Sequence, residues 1–553
     1  MTTAHSLPRR LRAIARTMAS CALAGFGLAA SAQPVAPAEP PGAFTLIGHI
    51  ERFTLDRPGL RTSAARVTVR GIEVLLPANL IITMPGGYLS AEQLFRGRDF
   101  RSPSTPPRSG LALADLRDAD LACPPPLAAP GRRCPLPAAE IELTGNIVGG
   151  RYVAGIARIS QGALHIGAGF VRGIEAGSGF FTVGADAASG PTARLRLNDP
   201  EGIYGPRPPA GGVDMRFALD PGNAPVHART GFPVCLPDPA RPGVCPASNR
   251  ATDRTAANYR RYTCGPVAVS PAEPVLPGCR PHLPAPLRVG DYVNYVGMLD
   301  KDARGYFVSL HGLEAELGIY TSPGVDPAYV FVEEALQGTL GARYALDALN
   351  TLPQEETSRY KIVGFTSDPS RTIDVETFDD DTHGGPQPTT PGPGRLATRI
   401  VPTNLAQLGR FKFIWSAKED ARIVRRNVRI VLSPATQPGD AALAPGRASN
   451  DMPAPLRPAG ASRRGGYAFG QYESPVSEYI SPEITRFGVK GWPVPVNFED
   501  FCFLKTTNVI DTQEPNAGGY VALTAGPLAP SPVNPARPLS QQRADGTRVC
   551  GNG

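Results

Sequence analysis

Through most of this chain apolar residues recur at every second position, a period that suits strands and not helices. In "VGDYVNYVGML" (289–299), Val289, Val293, Tyr295 and Leu299 share one face while Tyr292 and Asn294 take the other. After "DKDARG" (300–305), Tyr306, Val308 and Leu310 alternate with Phe307, Ser309 and His311. Alternating runs separated by a short Gly- and Asp-bearing turn predict a β-hairpin. The same grammar recurs in "FTLIGHIERFTL" (44–55), "AEIELTGNIVGGRYVAGIARIS" (139–160), "GFVRGIEAGSGFFTV" (169–183), "YKIVGFTSD" (360–368) and "RFKFIWSAKEDARIVRRNVRIVL" (410–432). It predicts an all-β protein of tandem small barrels, OB-like, because closure removes the exposed edges that open sheets present. Helical spacing is confined to "YLSAEQLF" (88–95) and "AYVFVEEALQG" (328–338), each long enough for two or three turns.

Between these runs lie long Pro-rich connections at 101–138, 200–285 and 433–490, and the chain holds 60 Gly and 61 Pro. Since these residues cluster between strands, they read as punctuation, not low complexity. The strand groups divide the chain into a first β-domain with its Pro-rich loop (43–138), a second with disulfide-tied loops (139–285), a third barrel unit (286–345), a fourth (346–433) and a Pro-rich tail (434–553).

The first 32 residues read as a secretory signal peptide. "MTTAHSLPRRLRAIART" carries Arg9, Arg10, Arg12 and Arg16 and no acid; "MASCALAGFGLAASA" follows, and Ala30-Ser31-Ala32 precedes Gln33. The run is too short and wrongly flanked for a membrane span, so cleavage after Ala32 and a secreted or periplasmic product are expected. Losing four arginines and no acid lowers the formal charge from +7 to +3. Such a surplus gives no electrostatic case for a nucleic-acid partner. No later apolar run reaches the roughly 20 residues of a spanning helix.

Eight cysteines then remain: Cys123, Cys134, Cys235, Cys245, Cys264, Cys279, Cys502 and Cys550. An even number in an exported chain, without C-x-x-C spacing, favours disulfides over zinc. Three sequence-local pairs suggest themselves, 123–134, 235–245 and 264–279, and Cys502–Cys550 would pin the tail.

Four segments, "LRLNDPEGIYGP" (195–206), "ARTGFPVCLP" (228–237), "LRVGDYVNYVG" (287–297) and "LEAELGIYTSPGVDPAYV" (313–330), carry a resemblance to a family of uncharacterised secreted proteins of proteobacteria and filamentous fungi. The resemblance implies export and a β-rich body. It implies no activity and no catalytic residue.

Candidate chemistry is sparse. Glu314 and Glu316 flank Ala315 and, on a strand, share a face about 7 Å apart, a separation within the range of an inverting glycosidase. That chemistry needs carboxylates on opposite sides of a sugar, so a solvated face is the expected role; Asp374 and Glu376 repeat the pattern. "TFDDDTHGG" (377–385) places Asp379, Asp381 and His383 on one turn, where calcium would accept the carboxylates, although the spacing is not that of an EF-hand loop. His227, Asn198 and Asp199 are binding candidates near the disulfide-tied loops. Ser358 and Lys361 match S-x-x-K, but "SRYKIVGF" reads as strand and would turn them to opposite faces. Tyr467, Phe469, Tyr472 and Tyr479 would serve either as anchors of the tail or as a stacking surface. There is no G-x-S-x-G, H-E-x-x-H, Walker or dinucleotide motif. The leading expectation is a non-enzymatic extracellular binding or surface-associated protein, with a glycan or protein as partner. The alternative is a secreted hydrolase acting on a polymer such as a glycan.

Overall fold

The computed structural model describes residues 43–339 apart from short interruptions, 358–378, 407–415, 427–436, and brief segments at 396–399, 469–475, 478–480, 509–510 and 520–521. The described residues are almost wholly β, in several sheets joined by long irregular connections.

Strands between Ala43 and Ile159 form the first sheet. Its antiparallel hairpins are joined by parallel contacts, Val74 against Tyr152 and Ile82 against Ala157. Alternate residues Val67, Val74, Ile82, Ile141, Leu143 and Ile159 meet in one core. Of the two expected helical segments, "YLSAEQLF" keeps a single turn, Ala91–Leu94, capped by Ser90 and Gln93. "AYVFVEEALQG" is instead the strand Val330–Thr339. Val330, Val332 and Ala335 are buried in the third core, and Glu333 bulges out of the pairing with Ser358–Thr366. That bulge shifts the period, so the apolar spacing resembled a helix.

The second sheet organises the rest. Ile166–Ile174, Phe180–Gly184 and Thr192–Leu197 run antiparallel in succession. Tyr292–Asp302 and Gly305–Ala315 form the expected hairpin, the first pairing with Ile166–Ile174. The ring closes where Leu195–Leu197 runs parallel to Val308–Leu310. Its inward side chains, Val171, Phe181, Leu195, Val293, Leu310 and Leu313, form one core with Tyr204, Phe232, Leu287 and Tyr329. All four segments that carry the family resemblance contribute to this core.

The lines drawn at 138/139 and 285/286 are not sheet boundaries. Glu140–Val148 and Arg151–Ile159 belong to the first sheet, and the Tyr292–Ala315 hairpin completes the second. Those strands pair along their edges with partners distant in sequence, parallel and antiparallel, and grouping by sequence proximity does not register them. Two four-stranded sheets, one around Ser358–Thr366 and one around Thr372–Phe378, share the third core.

Disulfides Cys123–Cys134, Cys235–Cys245 and Cys264–Cys279 close loops in the irregular connections. Cys502 and Cys550 lie outside the described residues. The connection holding two of the bridges is fixed further by Arg250, fully buried, which donates to both carboxylate oxygens of Asp291 at 2.9 and 3.0 Å. Asp291 also accepts the Arg288 amide, so the pair clamps the start of the Tyr292 strand. Among the described residues no helix is long and apolar enough to cross a membrane.

Candidate functional site

The strand Gly305–Ala315 changes neighbour along one edge. Val308–Leu310 pairs with Leu195–Leu197, whereas Leu313–Ala315 pairs with Val226–Ala228, also parallel. On the other edge Val296 pairs with Gly312 and Gly297 with Leu310, leaving His311 as the extra residue of a β-bulge. A bulge re-aims a side chain out of strict alternation. Here it sits at the neighbour switch, and a cavity of about 370 Å³ opens beside it.

The wall combines three kinds of group. Glu314 lies in register with His227 on one side and Asn294 on the other, so all three form one row across the sheet. His311 joins them through the bulge, and Asp220 and Asn223 line the cavity from the connection before Val226. Phe331 and Tyr472, from the third region, complete it. The His227 ring stacks on Phe331 at 4.0 Å between centroids, and Phe331 meets Tyr472 edge-on at 5.7 Å.

Burial sets the protonation states. His227 is 4% exposed, and desolvation lowers its pKa to about 4. Its Nδ1 faces the Ala228 carbonyl at 2.8 Å. A carbonyl only accepts, so Nδ1 carries the proton and Nε2 the lone pair. His311 is 7% exposed, its pKa falls to about 3 by burial, and its Nε2 is buried without a partner. The Glu314 carboxyl is pushed up to about 7, chiefly by burial and then by Glu316 and Glu333, against the opposing pull of Arg229 and a hydrogen bond from Asn294. Glu316 is held apart by Arg229 at 2.8 Å. The expected solvated face is therefore corrected: both acids are half-buried, because the Val226–Ala228 strand and the Phe331 region cover that side of the hairpin.

Other sequence candidates fall elsewhere. Asp199 is buried and accepts the amides of Gly202 and Tyr204 at 2.9 and 2.7 Å, which fixes a turn. Asn198 donates to the carbonyls of Asp214 and Phe217 and lines a second cavity of about 570 Å³. That cavity is dominated by paired charge: Arg98 with Asp300 at 2.6 Å, Arg216 with Asp214 at 2.7 Å, and Ser109 on Asp115. Ser358 and Lys361 lie on one strand, with Lys361 paired to Glu334 at 2.7 Å. Asp374 and Glu376 lie on the strand Thr372–Phe378, and Asp374 lines neither cavity. Phe469 is in the second core, as an anchor would be, whereas Tyr472 reaches the cavity. Asp379, Asp381, His383 and Tyr467 lie outside the described residues, among which no metal-holding cluster occurs.

Sequence reading selected His227 and Glu314 separately and missed His311, Asn294, Asp220 and Phe331. The one available signal was "HGLE": a glycine after a histidine inside an alternating strand marks a possible bulge. No family model, curated protein or solved structure matches the chain.

Proposed function

We propose that this chain is an exported, non-enzymatic binding protein whose ligand enters the cavity between His227, His311, Glu314 and Phe331. One observation carries the reading. The cavity joins stacked aromatic rings to a row of polar groups held ready by the fold, and its described lining includes no Ser, Thr, Cys or Lys. In this reading the ring of five strands is an OB-like barrel, supported by its strand order and parallel closure. The basic-then-apolar N-terminus and the three disulfides support export, with cleavage after Ala32. The resemblance to secreted proteins points the same way.

A second reading has its own support. A carboxyl raised to about 7 lies in the same cavity as Asp220, the pairing a hydrolase needs for a general acid and a base. A binding-and-turnover screen of glycans and small solutes on the purified protein separates the two. Saturable binding abolished by Phe331→Ala, without product release, supports the binding protein. Product release lost in both Glu314→Gln and Asp220→Asn makes it a hydrolase, and silence on both counts overturns the choice of cavity.

A further inference from the structure

The charged groups in the described lining of the cavity are acidic, and its amide donors serve acids of the protein: Asn223 donates to Asp220 at 2.6 Å and Asn294 to Glu314. Glu314 and Asp220 bring carboxyl oxygens, and His227 brings the Nε2 lone pair left by its Nδ1 hydrogen bond. His311 Nε2 is buried with no partner in the protein. No Lys or Arg lines the cavity among the described residues, and Arg229, whose charge reaches Glu314, is already bound to Glu316. On the aromatic side, His227 covers one face of Phe331 and the Phe331 and Tyr472 rings meet edge-on, so the ring surface they leave toward the cavity carries the negative π density that attracts a desolvated cation. An anionic or purely accepting ligand would find no counter-charge here.

We propose that the cavity is a site for a small organic cation, a protonated amine or quaternary ammonium, with Glu314 as its counter-ion and Phe331 and Tyr472 as its aromatic wall. This rests on the binding-protein reading and names the ligand class. In the tautomer with its proton on Nδ1, His311 Nε2 then accepts from an N–H of a protonated amine or, for a quaternary head, lies against its methyl groups.

Binding is coupled to one proton. The groups facing Glu314 are Glu316, Arg229, Glu333, Asn294, His227, His311 and Asp220. Burial lowers the two histidines to about 4 and about 3, so both are neutral above pH 5.5 and Glu314 is the titrating group near neutrality. A cation requires the carboxylate, so affinity rises with pH until about 7 and then levels off. Between pH 8 and pH 5.5 it should fall roughly 30-fold, the change in ionised fraction for a group of that pKa.

The test uses full-length protein and three probes that share a ring and differ in charge, benzylammonium, benzyl alcohol and benzoate, with choline as a quaternary probe, each titrated by calorimetry at pH 5.5 and pH 8. Benzylammonium or choline binding at pH 8, with the 30-fold loss at pH 5.5, is the expected result. Glu314→Gln, checked for fold by circular dichroism, should lose at least tenfold in affinity and the pH dependence with it. Tighter binding of the alcohol or benzoate overturns the cation while leaving a ligand site. Unchanged affinity in a folded Glu314→Gln overturns the counter-ion. If none of the four probes binds, the cation proposal fails, and the glycan and solute screen above then shows whether the binding reading fails too. Should Glu314→Gln not fold, the pH dependence of the wild-type protein decides alone.

Discussion

The two cavities teach different lessons about charge. The larger has many ionic groups, among which Arg98 and Arg216 are matched to Asp300 and Asp214; Arg216 also donates to the carbonyls of Leu94 and Ser109 at 3.0 and 2.6 Å. The smaller has fewer charges and no Lys or Arg in its described lining: a carboxyl raised by burial, two neutral imidazoles and the unpartnered His311 Nε2 beside Phe331 and Tyr472. Volume and charge density alone would select the first. Each cavity holds a buried side-chain atom without a partner, Asn198 Oδ1 in the first and His311 Nε2 in the second, which is costly unless a ligand completes it; a raised carboxyl with no Lys or Arg in the described lining selects the second.

The sharpest way to break this comparison is to damage the matched cavity. Arg216→Leu should strand Asp214 and two carbonyls and destabilise by about 3 kcal/mol in urea titration, leaving benzylammonium affinity of the folded protein unchanged. Loss of binding without loss of stability would reverse the roles of the two cavities.

Next in size is Gly231→Ala. Gly231 has φ +84°, and an added Cβ would come within 2.9 Å of the Val330 carbonyl carbon, next to Phe331. Left-handed backbone and overlap together should cost about 2 kcal/mol, and the displaced Phe331 should weaken ligand binding. Unchanged melting temperature and affinity would show that the turn does not position the aromatic wall.

Glu314→Gln tests the unmatched site from the side of stability. The folded carboxyl has its pKa raised, so the wild-type protein is most stable below the ordinary Glu range and loses stability as pH rises through about 7. The amide removes that loss. After allowance for screening, the variant should be more stable at pH 8 by on the order of 2 kcal/mol and equal to wild type at pH 4. A gain at pH 4 as large as at pH 8 would mean that ionisation is not the cause.

The smallest effect is expected at Gly167, which lies opposite Tyr295 with the phenol ring across it. Gly167→Ala should shift a flexible side-chain end at a cost of about 1 kcal/mol or less, yet alter affinity severalfold because Tyr295 lines the smaller cavity. An affinity change with hardly any change in melting temperature would separate cavity shape from stability.

What the amino-acid order determined by itself was local. Two-residue alternation placed the strands, short spacing picked out the three bridges found here, and Leu313, Glu314 and Ala315 were assigned correctly to opposite faces. It misread Val330–Thr339, where one bulged residue makes strand spacing resemble a helix. Tertiary structure alone decided the site. His227 and Glu314 are 87 positions apart and become neighbours through a parallel pairing that no short-range pattern encodes. Whether Glu314 meets water or an aromatic wall depends on Phe331 and Tyr472 arriving from two other sheets. Alternation specifies which face a side chain takes, whereas burial, and with it the charge state, is set by what the rest of the chain lays over that face.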